Sequence, residues 1–187
     1  MSLFAIMPPV EFEQQYPQLH TEVCEKLGLG FVPNIFRCMA LVNEPLALSS
    51  WQMVKQNLCA GNLPRMVKEL LFSFVAYKRR CQYCYIAHHA LAIHHGFSEG
   101  HVKALFDDIE SAEPPILGAV LKFADLATEP HFVDPDSAYK DMQALGLSQS
   151  ETVEVLGMVS CALYMVNIAD GLGLPVDERF ITVINQE

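Results

Sequence analysis

The chain has 187 residues, 51% of them hydrophobic and 18% charged, with 12 basic against 22 acidic side chains and a formal net charge of −10. That length and apolar content fit one compact domain and exclude a disordered chain. A chain of this size buries roughly 70% of its unfolded surface and needs no disulfide framework or structural metal merely to fold. The longest basic tract is Lys78-Arg79-Arg80; phosphate neutralisation needs a basic face, so neither nucleic acid nor an anionic membrane is an expected partner.

Pro and Gly punctuate the chain, and apolar residues recur between them at helical spacing. No period-two run bounded by hairpin signals appears. The expectation is an all-α chain of about eight to nine helices in a single domain over residues 1–187. Residues 1–10 read as an N-terminal arm. A helix over 17–27 follows, stopped by Gly28 and Gly30. Pro33 opens a helix through Ile35, Cys38, Met39 and Leu41. Pro45 opens the next, with Leu48, Trp51, Val54 and Leu58 inward and Gly61 past its end.

From Pro64 onward, Val67, Leu70, Leu71, Phe74 and Val75 make a broad apolar stripe. No Gly or Pro occurs before Gly96, yet one uncapped helix of that length is out of proportion in a small domain. A break is therefore expected at residues 79–81, then a helix over about 81–95 with Gly96 at its C′ position. Ser98 caps a short helix to about Asp107, Pro114-Pro115 opens one through Leu117, Val120, Leu121 and Phe123, and Pro135 opens another ended by Gly146. Ser148-Gln149-Ser150-Glu151 is a capping-box pattern ahead of the apolar run 153–168, which Gly171 and Gly173 stop. The tail, 174–187, carries no clear signal. A faint echo at an offset of 85 pairs Glu44-Pro45 with Glu129-Pro130, Lys55 with Lys140, Glu69 with Glu154 and Leu71 with Leu156, as two similar helical halves would.

No segment reads as the ~18–20 apolar residues of a transmembrane helix. Residues 1–14 lack a positive n-region and meet Pro8-Pro9 early, so they do not read as a signal peptide, and a cytoplasmic location is expected. Six cysteines are too few for a secreted disulfide scaffold. Cys24, Cys38, Cys59 and Cys161 lie among apolar neighbours and read as buried free thiols.

Cys81-Gln82-Tyr83-Cys84 is different. A Cys-x-x-Cys is shared by redox and zinc sites. If Cys81 lies in the first turn of a helix, unpaired backbone N–H groups and the helix dipole stabilise a thiolate. The basic residues just upstream would add to this, and such settings lower a thiol pKa from ~8.5 into the range of about 3.5–7.5. At ~100° per residue Cys84 lies about 60° round from Cys81, near enough for a disulfide across one turn. His88, four residues beyond Cys84, stacks beside it and could take its proton. His89, His94 and His95 read as surface or helix-end histidines. Glu69, on the preceding helix, reads by itself as a solvated surface residue.

Glu69, Cys81, Cys84 and His88 together resemble the Glu-x11-Cys-x-x-Cys-x3-His signature of AhpD-like alkylhydroperoxidases, within the carboxymuconolactone decarboxylase superfamily. Val32-Pro33-Asn34-Ile35-Phe36-Arg37, Glu44-Pro45, Trp51 and Asn167-Ile168-Ala169-Asp170-Gly171-Leu172-Gly173 resemble the flanking patterns of its peroxidase-related branch, so the likeness spans about residues 28–177. The resemblance implies an all-α fold of duplicated halves assembling as a homo-oligomer, trimer or hexamer. It also implies a thiol peroxidase or disulfide reductase with no cofactor. Cys84 would be the peroxidatic cysteine, Cys81 the resolving one, and His88 and Glu69 a proton relay. The substrate would be a hydroperoxide and the reductant an external dithiol such as a dihydrolipoyl group. One position departs: the family's characterised member has a histidine just before the second cysteine, where this chain has Tyr83. A phenol of pKa near ~10 shuttles protons less readily at neutral pH. Leu70, Phe74 and Tyr83 are candidate pocket-lining residues.

Two other readings compete. Cys81, Cys84 and His88, with Glu69 or a further histidine, could hold zinc, although no second Cys-x-x-Cys or His-x3-His occurs elsewhere. The chain could also be a non-catalytic helical oligomer keeping inert thiols. A lactone decarboxylase would leave the cysteine pair unexplained. A thioredoxin motif would have to follow a strand, and residues 68–80 do not read as one.

Overall fold

The computed structural model describes residues 2–129 and 134–184. Among them there are eleven α-helices, one short 3₁₀ turn and no strand. In chain order the helices are α1 (Pro9–Gln15), α2 (Pro17–Leu27), α3 (Asn34–Val42), α4 (Glu44–Leu58), α5 (Arg65–Arg79), α6 (Gln82–His94), α7 (Glu99–Asp107), α8 (Pro115–Thr128), α9 (Pro135–Ala144), α10 (Gln149–Leu172) and α11 (Glu178–Ile184). The all-α expectation holds in a single domain. The two helices beyond the expected number are α1 and α11, each of only seven residues. α1 starts within the expected arm, and both are too short for apolar periodicity to show.

The helix ends follow the local chemistry. The Asn43 side chain accepts from the Leu46 N–H at 3.1 Å, and Ser98 Oγ from the His101 N–H at 3.2 Å. Ser148 and Glu151 form the reciprocal capping box at the start of α10. Gly171 lies inside α10, and only Gly173, at φ 60°, ends it. In α4 the buried stripe is Ala47, Ser50, Trp51, Val54 and Leu58. Leu48, expected inward, sits one residue off that stripe and is 41% exposed.

The break at 79–81 falls where expected. Arg80 adopts φ 58°, and the N–H groups of Arg80 and Cys81 reach back to the carbonyls of Tyr77 and Ala76, each at 3.0 Å. This left-handed cap closes α5 and turns the chain back, so that α6 packs along α5 as a helical hairpin.

Residues 68–76 of α5 are all buried, with α4, α6, α8 and α10 packed around them. This stretch of α5 is thus enclosed, which carries Lys68 and Glu69 inside with it. Lys68 is 1% exposed; its ammonium donates to the Ala60 carbonyl and pairs with Glu154 at 3.2 Å. α10 packs against α4, α5, α6, α8 and α9. Its 24 residues include an 18-residue window of mean hydropathy 1.6, so by length and composition it could cross a membrane, contrary to the expectation from sequence. Half of that window is buried inside the fold, as befits a core helix that is apolar on several faces. The arm before α1 is stitched to this helix, the Leu3 N–H donating to the Leu172 carbonyl at 3.1 Å.

Candidate active site

The hairpin turn sets Cys81 at the N-cap of α6, one position ahead of the first turn, and Cys84 inside that turn. Both are buried, and all six cysteines are free thiols. Its interaction with the Cys81 thiol, then burial, then the negative potential of Cys81, Asp170 and Cys161 raise the Cys84 pKa well above the ordinary thiol value. At Cys84 the helix start is outweighed, because the thiol has left water and lies beside Cys81. The upstream basic residues do not compensate. Lys78 pairs with Asp125 at 2.6 Å, and Arg79 and Arg80 are exposed.

Glu69 is fully buried, not solvated. One carboxylate oxygen, Oε2, lies 2.6 Å from His88 Nδ1; the other, Oε1, accepts from Arg65 Nε at 2.7 Å. Burial pushes the Glu69 pKa up, but the His88 imidazole and the Arg65 guanidinium outweigh it and hold the carboxyl below the ordinary glutamate range. An ionised carboxylate only accepts, so His88 must donate from Nδ1. Neutral His88 then carries its lone pair on Nε2. Phe72 stacks flat on the imidazole, ring centroids 3.4 Å apart and planes at 10°, which fixes the ring from its face.

Cys84 and His88 line one cavity, together with Ile35, Phe36, Phe72, Tyr83 and Phe180 among others. It offers about 40 Å³ to water centres, a few waters' worth. Of the expected lining residues Tyr83 belongs here. Leu70 and Phe74 do not; Phe74 packs edge-on against Phe106 with centroids 5.2 Å apart, and Phe72 takes the cavity position on α5.

Tyr83 is a buried structural tie. Its hydroxyl donates to Asp177 Oδ2 at 3.0 Å and accepts from the Ile35 N–H at 3.1 Å. Asp177 also accepts from the Asn34 N–H at 3.1 Å, capping α3. Burial, then the charge of Asp177, raise the Tyr83 pKa well above the usual phenol value. The position before Cys84 thus joins α6 to α3 and to the segment leading into α11.

Of the other histidines, His94 is exposed and His95 half-buried. His89, expected on the surface, is 5% exposed and stacks on Tyr85 at 5.2 Å. Among the described residues no group of three or more His, Cys, Asp or Glu side chains is placed to hold a metal ion, so the zinc reading finds no ligand cage there.

No protein-family model matches the chain, and no curated protein does. Solved structures do. A peroxidase-related protein of Ralstonia eutropha JMP134, described as an alkylhydroperoxidase AhpD core, superposes with a TM-score of 0.83 at 18% identity, over 98% of this chain and 96% of that one. The chain has the AhpD-like fold.

A second neighbour, a cysteine-to-alanine variant of the debrominase Bmp8 in complex with 2,3,4-tribromopyrrole, has a TM-score of 0.81 at 15% identity and covers 100% of this chain and 97% of that one. An uncharacterized peroxidase-related protein from Silicibacter sp. TM1040 gives 0.79 at 16% identity, over 95% and 92%.

Within this site the sequence brought forward Cys81, Cys84, His88 and Glu69, and the fold gathers all four around the α5–α6 hairpin. It did not bring forward Arg65, Phe72, Asp177 or Phe180. Arg65 carried a legible signal, standing four residues before Glu69 on one helix. Asp177 and Phe180 carried none, since they reach the site from a tail more than ninety residues downstream.

Proposed function

We propose that this protein is a thiol peroxidase of small hydroperoxides, regenerated by an external dithiol. The observation that carries the reading is the Glu69–His88 contact of 2.6 Å beside a cavity that His88 shares with Cys84.

Cys84 keeps its proton at rest, so the proton must leave as the sulfur attacks. His88 Nε2 is the base for that step, and ionised Glu69 stabilises the imidazolium that forms. The Cys84 sulfur bonds to the terminal peroxide oxygen, the O–O bond breaks, and the departing alkoxide takes the proton from His88. Cys84 is then a sulfenic acid and the substrate an alcohol. The Cys81 sulfur attacks the sulfenic sulfur, water leaves, and the pair is oxidised to a disulfide. A dithiol of the dihydrolipoyl class returns it to two thiols by exchange and leaves as its own disulfide.

Dithiol consumption by the purified protein with hydrogen peroxide or tert-butyl hydroperoxide tests this. Cys84→Ser is expected to abolish turnover, and Cys81→Ser to permit a single oxidation without sustained turnover. Full turnover in Cys84→Ser, or none in the unmodified protein with either peroxide, would overturn the proposal.

The debrominase neighbour and the aromatic cavity favour one second reading, reductive dehalogenation of a small halogenated aromatic. The two thiols would supply two electrons, giving the reduced arene, halide, a proton and the disulfide. About 40 Å³ does not hold such a ring unless the cavity opens. Peroxide is therefore the first substrate class to test, and halide release is the readout that would favour the alternative.

A further inference from the structure

The cavity at Cys84 and His88 is not isolated. A second cleft of about 240 Å³ lies against it, lined by Gly28, Phe31, Ala90, His94 and Arg179. Leu29, Leu91 and Phe180 line both spaces, so they form the partition between them. The three differ in how they are held. Leu91 is fixed in the middle of α6. Leu29 lies in the loop between Gly28 and Gly30, both at positive φ. Phe180 stands on the seven-residue α11, and it is only 2% exposed.

Phe180 does not belong to the main core. It packs in a separate small cluster with Ala87, Ala90 and Leu91, flanked by Leu29, Phe31 and Ile86. Its ring meets that of Phe31 at 5.4 Å, and the guanidinium of Arg179 lies 4.8 Å from the centre of the same Phe31 ring. Such a satellite cluster opens at lower free energy than the main core. The root of α11 is anchored independently of it. Asp177 is bonded by Tyr83 and by the Asn34 backbone, and the Pro175 carbonyl accepts from the Asn34 side chain at 3.2 Å. Phe180 can therefore swing out from an anchored base without releasing α6.

We propose that Phe180 is the gate between the outer cleft and the thiol chamber, and that it fixes the size of the molecule that reaches Cys84. The substrate class this selects is a hydroperoxide with a small or slender alkyl group, since anything bulkier must wait for the Phe180 ring to leave its cluster. That substrate class rests on the peroxidase reading; the gate itself does not, because it is read from the residues that line both spaces.

The test is the rate of Cys84 labelling by a small reagent, iodoacetamide, against a bulky one, monobromobimane. The modified residue is located by tandem mass spectrometry in the protein as it stands and in Phe180→Ala. The unmodified protein is expected to discriminate against the bulky reagent relative to a free thiol peptide, and Phe180→Ala to reduce that discrimination at least tenfold. Phe180→Leu, which keeps an apolar side chain in the cluster, is expected to fall between them, and it decides the matter should the alanine variant fail to fold. Equal discrimination in the folded variants and the unmodified protein, or none to begin with, would overturn the gate. A protein without peroxidase turnover whose labelling still depends on Phe180 would remove the peroxidase reading and leave the gate standing.

Discussion

Glu69 Oε2 lies 2.6 Å from His88 Nδ1 while Glu69 Oε1 lies 2.7 Å from Arg65 Nε, so one fully buried carboxylate serves two donors from two directions. In Glu69→Gln only one oxygen still accepts, and the amide NH2 group faces the other of the two donors, Arg65 or His88. Breaking a buried pair this way costs about 3–5 kcal/mol. Arg65 and His88 keep 19% and 14% exposure, so water softens the loss toward the lower end. Glu69→Gln is expected to lower stability by about 3 kcal/mol. Urea unfolding followed by the fluorescence of the single tryptophan, Trp51, which is fully buried, measures it.

The same pair sets an acid dependence whose sign is fixed. The carboxyl of Glu69 is held below its ordinary range when folded, by His88 and Arg65 against burial. Its contribution is therefore present above the unfolded value of about 4.3. It is lost as pH falls through the depressed folded value, because the unfolded chain binds the proton more readily. The stability gap between the unmodified protein and Glu69→Gln should be widest near neutrality and close below about pH 4. A gap independent of pH would mean that the pair is not ionised in the fold.

Much of this architecture is legible in residue order. Pro17, Pro45, Pro115 and Pro135 stand in the first turns of their helices, and Ser98 and Ser148 cap theirs, because these signals act within one turn of chain. Three site residues were legible for a similar reason, since Cys81, Cys84 and His88 lie within two turns of chain, while Glu69 was singled out only by the family resemblance. The burial of Glu69 was not legible. It depends on helices closing around residues 68–76 of α5, and a glutamate with apolar neighbours looks the same whether or not that happens. The cavity escaped for the opposite reason. Phe74, on the apolar stripe, packs into the core against Phe106, whereas Phe72, off that stripe, meets His88 because α6 covers its face.

Cys84 is expected to be a slow thiol in the absence of peroxide. Its pKa is raised by its interaction with the Cys81 thiol and by burial, so it remains protonated where an ordinary thiol, with a pKa of about 8.5, has begun to ionise. Iodoacetamide labelling of Cys84 should keep increasing well above that pH. Cys81→Ala, which removes that interaction, should shift the profile toward lower pH. Peroxide-dependent oxidation, by contrast, should already run near neutrality, since the proton moves to His88 within the step, and His88→Ala should slow it about 10²-fold. A labelling profile that levels off below pH 8 would contradict the raised thiol.

Tyr83 divides a structural role from a chemical one. Its hydroxyl joins Asp177 to the Ile35 N–H, at 3.0 and 3.1 Å, and its pKa is raised well above the phenol range by burial and by Asp177. It is therefore a fixed donor at neutral pH, unable to pass protons to Cys84. Tyr83→Phe removes that donor and leaves a buried N–H and a buried carboxylate short of one partner each, which costs about 1–3 kcal/mol. Asp177 keeps the Asn34 N–H, so the segment before α11 stays in place. The expected result is a lower unfolding midpoint with an unchanged pH profile of peroxide turnover. If the pH profile moves while stability does not, the phenol takes part in the proton chemistry and the assignment of that work to His88 and Glu69 alone is wrong.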